Sequence, residues 1–312
     1  PNAFDEISGE VVQSTAFVLQ NELPQGQTGT YFRLVDENSS TAKKNAFEAD
    51  EHQHSDVDQR DFEKIPGAPI VYWFPREATD LYSQCPRLGE VVHSGGYCKT
   101  GDNKEYIRNF WELDKRRLAR RDFIFFQKGG SERKWYGNLK FVVKWTKSAK
   151  EHYRRDRIAR LLDEKYWEKE GITWNKIASK KPSFRILRKD AVNASMGPTI
   201  FADKDKPQIL ALLNSKVAEF FIKATNPTLA IQVSDVAKTP YAVDGQHIKN
   251  HSFDCVDTSR NDWDSRETSW DFTQHPLIQQ NAPSLEAAYD AWKAQATDDF
   301  LQLHANEEEL NE

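Results

Sequence analysis

Positive charge is concentrated in the middle of this chain. Residues 101–190 hold 26 Lys and Arg against 13 Asp and Glu, a net charge of +13, whereas residues 1–60 carry −7 and residues 251–312 carry −11. Like charges repel one another in a compact fold, so this block predicts a surface that meets an anionic partner. A nucleic-acid backbone is the natural partner, because each phosphate that Lys or Arg neutralises releases counterions. The alternative is a solvated helix with interleaved charges, which residues 151–170 favour.

That alternative does not cover one short basic run. Five basic residues lie within seven positions, balanced only by the flanking Asp114 and Asp122. The five are Lys115, Arg116, Arg117, Arg120 and Arg121.

Composition excludes several classes of protein. The length of 312 residues fits two ordinary domains or one large domain with appendages, and a composition that is 38% hydrophobic and 12% aromatic can fill a core. The sequence has no run of eighteen or more apolar residues, so it predicts no membrane-spanning helix. Three cysteines predict a reducing, cytoplasmic location without a disulfide framework. Because Met196 is the only methionine and a strand-like segment comes early, we expect a piece of a longer protein.

The pattern of apolar residues predicts a mixed α+β fold. Residues 9–20 and 30–35 are apolar and β-branched around a Pro- and Gly-containing loop, which predicts a hairpin over Val11–Val35. The polar residues 36–64 predict a loop leading into a helix near Phe62. Further strands are predicted at Ile70–Phe74, Phe123–Phe126, Phe141–Trp145, 172–178 and 184–188.

Helices are predicted at residues 151–170, at 207–223 and after Ser284. Pro207 suits the first turn of the second helix, and Ser284 is a good N-cap for the last one. The last helix carries a stripe at helical spacing, which we expect to be buried internally or against a neighbouring domain. The stripe consists of Leu285, Tyr289, Trp292, Ala296 and Phe300.

No catalytic, cofactor-binding or metal-binding motif is present in the sequence. It contains no GxxxxGK[ST], GxGxxG, GxSxG, HExxH or CxxC pattern. His52 and His54 lie in an acidic stretch that predicts a solvent-exposed loop. Asn226-Pro227 shares only two residues with the Asn-Pro-Pro-aromatic loop of adenine methyltransferases, and a helix stop explains it better.

The segment Gln127–Asn138 concentrates residues suited to DNA. Lys128, Arg133 and Lys134 suit phosphates or guanine edges, and Asn138 suits adenine. The neighbouring Trp135 and Tyr136 are rings that could stack on a base or wedge a base step. An equally good interpretation is a glycine-turned hairpin whose aromatic residues pack in the core and whose lysines are solvated.

Several segments resemble one family. They are FDEISGEVVQSTAFVLQN (Phe4–Asn21), TGDN (Thr100–Asn103) followed by IRNFWEL, QKGGSERKWYGN, EGITW (Glu170–Trp174), LNSKVAEFFIKATNPTLAIQVSDVAKTP (Leu213–Pro240) and NDWDSRETSWDFTQHPLI (Asn261–Ile278). Over nearly the whole chain, from about Phe4 to Leu310, they resemble the C-terminal half of PglX-type enzymes. These are adenine-specific DNA methyltransferases of BREX bacteriophage-defence systems, similar to type IIG restriction–modification enzymes.

The resemblance implies S-adenosylmethionine as methyl donor, double-stranded DNA as substrate and methylation of a flipped adenine. The glycine-rich cofactor motif and the Asn-Pro-Pro-Tyr motif of the family precede the matched region. We therefore expect no cofactor in this chain and no activity from it alone. The resemblance also implies four regions. Residues 1–40 would be the end of the methyltransferase domain (the closing hairpin), and residues 41–85 a linker and the start of the recognition region. Residues 86–250 would form a mixed target-recognition domain, and residues 251–312 a helical tail.

The sequence thus predicts a target-recognition region whose partners are double-stranded DNA, the missing N-terminal methyltransferase domain and other subunits of a defence complex. We expect the arginines of the basic run to position the DNA backbone. The 128–138 loop would approach base edges, together with Arg185 and Lys189. The alternative function is a protein-interaction module of the defence complex, in which the acidic tail binds other subunits.

Overall fold

The computed structural model describes residues 15–21, 28–178, 181–242 and 245–312. The chain divides into two compact units, Pro1–Cys85 and Pro86–Glu312, called unit 1 and unit 2 below. Over the described residues it contains 12 α-helices and three sheets, which confirms the mixed α+β class. No helix in these ranges combines the length and hydropathy that a bilayer span requires.

Unit 1 is built on a two-stranded sheet. Its elements are β1 (Thr28–Phe32), α1 (Ser40–Glu48), β2 (Gln53–Asp58), α2 (Asp61–Lys64) and α3 (Arg76–Gln84). Strands β1 and β2 pair antiparallel, and the Tyr31 ring on β1 stacks on Tyr72 at 4.7 Å between ring centroids. Helix α1 begins after Ser39, whose hydroxyl accepts a hydrogen bond from the amide of Ala42 at 3.1 Å.

Unit 1 differs from the sequence prediction in its strands. The predicted Val11–Val35 hairpin falls partly outside the described residues, residues 15–21 are not in a strand, and β1 pairs with β2 instead. Helix α1 and β2 occupy much of the stretch predicted as a loop, although the helix near Phe62 is confirmed as α2. The strand predicted at Ile70–Phe74 is wrong: Val71 donates to the carbonyl of Pro69, and Phe74 to that of Val71, so this segment is a turn.

Unit 2 contains two four-stranded sheets. The first has the order β3 (Val92–His93), β10 (Thr199–Ala202), β7 (Gly171–Trp174) and β8 (Phe184–Leu187), with every pair antiparallel. The second has the order β4 (Ile107–Asn109), β6 (Phe141–Lys144), β5 (Phe123–Gln127) and β9 (Ala191–Asn193), and its β5–β9 pair is parallel. Strands β5, β6, β7 and β8 confirm four predicted strands. Every residue of β5 is buried, which explains its continuous apolar run.

The helices of unit 2 are α4 (Asn103–Tyr106), α5 (Lys115–Ala119), α6 (Lys147–Arg155), α7 (Lys206–Asn214), α8 (Lys216–Thr225), α9 (Val233–Ala237), α10 (Gln246–Asp264), α11 (Pro276–Gln279) and α12 (Leu285–Glu309). One hydrophobic cluster surrounds the second sheet and includes side chains of α6. Another surrounds the first sheet and includes side chains of α7 and α10. Ser284 caps α12 as predicted, accepting from the amide of Ala287 at 3.2 Å.

Two predicted helices are shorter than expected. Helix α6 ends at Arg155, because the Asp156 carboxylate accepts hydrogen bonds from the amides of Ile158 and Ala159, both at 2.8 Å, and turns the chain. The predicted 207–223 helix is divided at Ser215, which has an extended backbone and caps α8 by accepting from the amide of Ala218.

Internal burial of the stripe on α12, one of its two predicted arrangements, is wrong. Leu285 is 77% exposed, Tyr289 48% and Phe300 65%. The part of α12 that contacts the cluster around the first sheet is near its C-terminal end, where Leu303 and Leu310 pack.

Candidate nucleic-acid interface

The basic run predicted to bind phosphate lies on and after α5. Asp114 begins this helix by accepting from the amide of Arg116, and it also forms an ion pair with the guanidinium of Arg116 at 2.6 Å. Arg121 forms an ion pair with Glu168, also at 2.6 Å. The guanidinium of Arg117 lies over the Phe123 ring at 4.8 Å from its centroid, and Arg120 is exposed. Arg117 also lies within ion-pair distance of Asp122, at 3.9 Å, so three of the four arginines already have a carboxylate partner.

Arg133 and Lys134 of the 127–138 loop are bonded within unit 2. Arg133 donates to the carbonyls of Tyr136 (2.8 Å) and Ser259 (3.1 Å) and forms an ion pair with Asp262 at 2.6 Å. Burial acts to raise the pKa of Asp262, but hydrogen bonds from two arginines outweigh it and hold this pKa below its usual range. Lys134 donates to Glu307 on α12 at 2.9 Å. These contacts fasten the loop to α10 and α12.

The rings and the amide of the same loop are buried. Trp135 is 2% exposed, and its Nε1 donates to Glu307 at 2.6 Å. Tyr136 is buried beneath the guanidinium of Arg260, which lies 5.0 Å from its ring centroid. Asn138 donates to the carbonyl of Ser131 at 2.6 Å. Stacking on a base would require either ring to leave the core, so the core-packing interpretation describes these two rings in the structure.

Arg185 is a buried cation within the same network. Its side chain is 0% exposed, and it donates to Asn175 at 2.7 Å. Burial first, and then the nearby charge of Arg133, lower its pKa to about 10. Asn175 in turn donates to the carbonyls of Gly130 and Ser131. Arg185 thus fixes the backbone of the loop through its hydrogen bond to Asn175.

The two remaining candidate residues lie closer to the surface. The ammonium of Lys128 lies 5.0 Å from the centroid of the Phe141 ring and is partly exposed, and Lys189 is exposed in the turn between β8 and β9. The structure therefore brings together Arg133, Lys134, Trp135 and Asn138 with Arg185 as an internal network, while the basic run and Lys189 lie elsewhere on unit 2.

A second group of cations was missed by the sequence analysis. Lys99, Arg155, Arg157 and Arg160, called the Lys99 cluster below, are all exposed. The backbones of Lys99 and Arg160 pair as a β-bridge, with both N–H···O distances at 2.8 Å. In the described part of the chain, no carboxylate lies within ion-pair distance of these four cations, in contrast to the arginines at 116, 121 and 133.

The backbone beneath the Lys99 cluster is well fixed. The amide of Cys98 donates to the carbonyl of Asn193 at 2.8 Å, and the amide of Leu162 donates to the Cys98 sulfur at 3.3 Å. His152 on α6 bonds the carbonyl of Thr100 at 3.0 Å. Two apolar residues close to these cations in the sequence are also exposed: Tyr97 by 40% and Ile158 by 57%. A cationic surface with apolar members can contact both the phosphates and the sugars of a duplex.

Asp156 is the acidic residue inside the Lys99 cluster, and its carboxylate is committed to the backbone. The amides of Ala159 and Ile158 lower its pKa, with smaller contributions from His152 and Lys99. The sequence signal was the short stretch Arg155–Arg160, where three arginines surround one helix-stopping Asp. Treating residues 151–170 as one helix with interleaved charges concealed it.

Nearly the whole chain is similar to two known methyltransferases. No protein-family model matches it. It is 35% identical to the adenine-specific methyltransferase PglX of Lacticaseibacillus casei (strain Zhang), over 99% of this chain and 28% of that protein. It is 30% identical to the adenine-specific methyltransferase BrxX of Escherichia coli O9:H4 (strain HS), over 89% of this chain and 23% of that protein. The chain thus spans about a quarter of the length of these relatives.

Among solved structures, the chain is similar to the type IIL restriction–modification enzyme MmeI in complex with DNA. The similarity has a TM-score of 0.39 and 10% sequence identity, and it covers 70% of this chain and 32% of that one. The family resemblance stated in the sequence analysis is confirmed by the two methyltransferase relatives, and the DNA-contact residues remain predictions.

Proposed function

We propose that this chain, which belongs with part of the PglX and BrxX adenine-specific methyltransferases, supplies the surface by which such an enzyme binds and selects its DNA target. The observation that carries the proposal is the Lys99 cluster. Exposed cations without carboxylate partners are the groups that gain most from a phosphate, because no existing ion pair has to break first.

The candidate residues then take two different roles. Arg120, Lys128 and Lys189 extend the phosphate-contacting surface, because no carboxylate of the described residues lies within ion-pair distance of their side chains. Arg116, Arg117 and Arg121 can join them only by leaving Asp114, Asp122 and Glu168.

The internal network takes the second role. Arg133, Lys134, Trp135, Asn138 and Arg185 position the loop rather than touch DNA, since each is bonded or packed within unit 2. Base reading then falls to the exposed turn of the loop at Gly130–Glu132, which this network holds in place.

The methyl-transfer chemistry belongs, on this proposal, to the rest of the longer polypeptide. The sequence contains neither a GxGxxG loop nor an Asn-Pro-Pro-Tyr motif. S-adenosylmethionine and the flipped adenine would therefore be held outside these 312 residues. We expect no incorporation of labelled methyl groups into DNA by this chain alone.

The experiment is a comparison of duplex-DNA affinity for two triple variants. Arg155→Ala/Arg157→Ala/Arg160→Ala is expected to weaken binding at least about tenfold at moderate salt, because three phosphate contacts are lost. The control, Lys204→Ala/Lys216→Ala/Lys223→Ala, removes the same charge from other parts of unit 2 and is expected to change affinity less than about threefold. Equal losses in the two variants would refute a specific role for the Lys99 cluster.

A further inference from the structure

One face of α12 packs against the core of unit 2 near the C-terminal end of the helix and is largely exposed before it. Positions 285, 289, 292, 296, 300, 303, 307 and 310 follow the three- and four-residue spacing that places side chains on one side of a helix. Near the C-terminal end of this face, Leu303 and Leu310 pack on the core and Glu307 bonds Trp135. The same face is apolar before Leu303, but there Leu285, Tyr289 and Phe300 are exposed.

The apolar part of this face before Leu303 is called the α12 stripe below. It consists of Leu285, Tyr289, Trp292, Ala296 and Phe300. Trp292 is half-buried beside His275, at 5.8 Å between ring centroids, whereas Leu285 (77%), Tyr289 (48%) and Phe300 (65%) are exposed. Sixteen helical residues extend about 24 Å. A contiguous apolar strip of this length marks an interaction surface.

We propose that the α12 stripe docks into an apolar groove with a cationic rim on the remainder of the longer polypeptide. The two relatives supply the first argument: about three quarters of each lies outside the region matched by this chain. A stripe continuous with the core-packed face is the arrangement expected of a helix that lies between two parts of one protein.

Charge supplies the second argument and identifies the rim. Helix α12 carries seven carboxylates and a single lysine. Two copies of this helix would bring two strongly acidic surfaces together, which disfavours a second copy of the chain. The same charge disfavours DNA. A groove lined by apolar residues and bordered by Lys or Arg complements both properties of the helix.

This docking explains why the last helix is fastened to the loop network. Glu307 connects α12 to Lys134 and Trp135, so a partner that binds the stripe also fixes the orientation of unit 2. The proposal goes beyond DNA binding, and docking can be measured without any DNA.

The test uses the intact 312-residue chain. Its partner is the part of the Lacticaseibacillus casei relative outside the matched region, produced as a separate polypeptide. Calorimetry is expected to show binding without DNA. Tyr289→Ser and Phe300→Ser are each expected to weaken it about tenfold, by the loss of apolar burial. Leu301→Ser is the control, because Leu301 is 57% exposed but lies on the opposite side of the helix. Its affinity is expected to match that of the unmodified chain.

Three outcomes would overturn the proposal. The first is no binding by the unmodified chain, and the second is an equal loss in Leu301→Ser. The third is concentration-dependent dimerisation of the chain alone that Phe300→Ser abolishes, because that result would assign the stripe to a second copy.

Discussion

Replacing Glu307 by Ala tests whether the 127–138 loop, predicted from the sequence to contact DNA, instead stabilises the fold of unit 2. The Glu307 carboxylate accepts from Nε1 of Trp135 at 2.6 Å and from Nζ of Lys134 at 2.9 Å. Trp135 is 2% exposed, so the change leaves a buried indole N–H without an acceptor, which costs about 1.5–3 kcal/mol. The ion pair with Lys134 adds up to about 1 kcal/mol, since both side chains are largely shielded.

We therefore expect Glu307→Ala to lower the stability of unit 2 by about 2–4 kcal/mol. In differential scanning calorimetry this corresponds to a Tm lower by about 5–15 °C for a unit of this size. Glu307→Gln keeps an acceptor for the indole and is expected to lose about half as much.

The matched control is Glu308→Ala on the next residue. Glu308 pairs with Lys216 between side chains that are 53% and 66% exposed, so its loss is expected to cost less than about 1 kcal/mol. Equal destabilisation by the two changes would refute the reasoning. So would a Trp135 or Lys134 variant that loses DNA affinity while keeping the melting temperature of the unmodified chain.

Two further predictions concern titratable groups. Burial raises the pKa of the Cys98 and Cys255 thiols to about 12. We therefore expect N-ethylmaleimide to label Cys85 in the native chain and all three thiols after unfolding. Labelling of Cys98 in the native chain would contradict this. The lowered pKa of Asp262 contributes stability that is present above the usual carboxyl value near 4 and is lost as pH falls through the folded value. Urea titrations should therefore show a smaller loss of stability between about pH 5 and 2 for Asp262→Asn than for the unmodified chain, and parallel curves would refute the assignment.

Much of the fold could be predicted where one pattern dominates. Phe123–Phe126 is apolar throughout because β5 is buried on both faces, and Ser284 precedes α12 because its hydroxyl caps the helix. The strand at Ile70–Phe74 could not be distinguished from a turn, because apolar composition alone does not show that Pro69 and Val71 accept the local hydrogen bonds.

The candidate site was harder to predict, because sequence reports charge but not pairing. Arg133 and Lys134 were as cationic as Arg155 and Arg157, yet their carboxylate partners lie more than a hundred residues away, on α10 and α12. The Lys99 cluster depends on a β-bridge that joins residues 99 and 160, a contact that no local pattern indicates. The α12 stripe was identified as apolar, but internal burial requires tertiary contacts with the cluster around the first sheet, and Leu303 and Leu310 beyond the stripe make those contacts.

The most direct test of the account is the salt dependence of duplex-DNA binding by the intact chain and by the Arg155/Arg157/Arg160 triple variant. The logarithm of the association constant is expected to fall linearly with the logarithm of salt concentration, and the variant slope should be shallower by about 2.7, which is roughly 0.9 per lost phosphate contact. Identical slopes would contradict the assignment of the Lys99 cluster. Undetectable binding by the unmodified chain at low salt would instead favour a protein-interaction module.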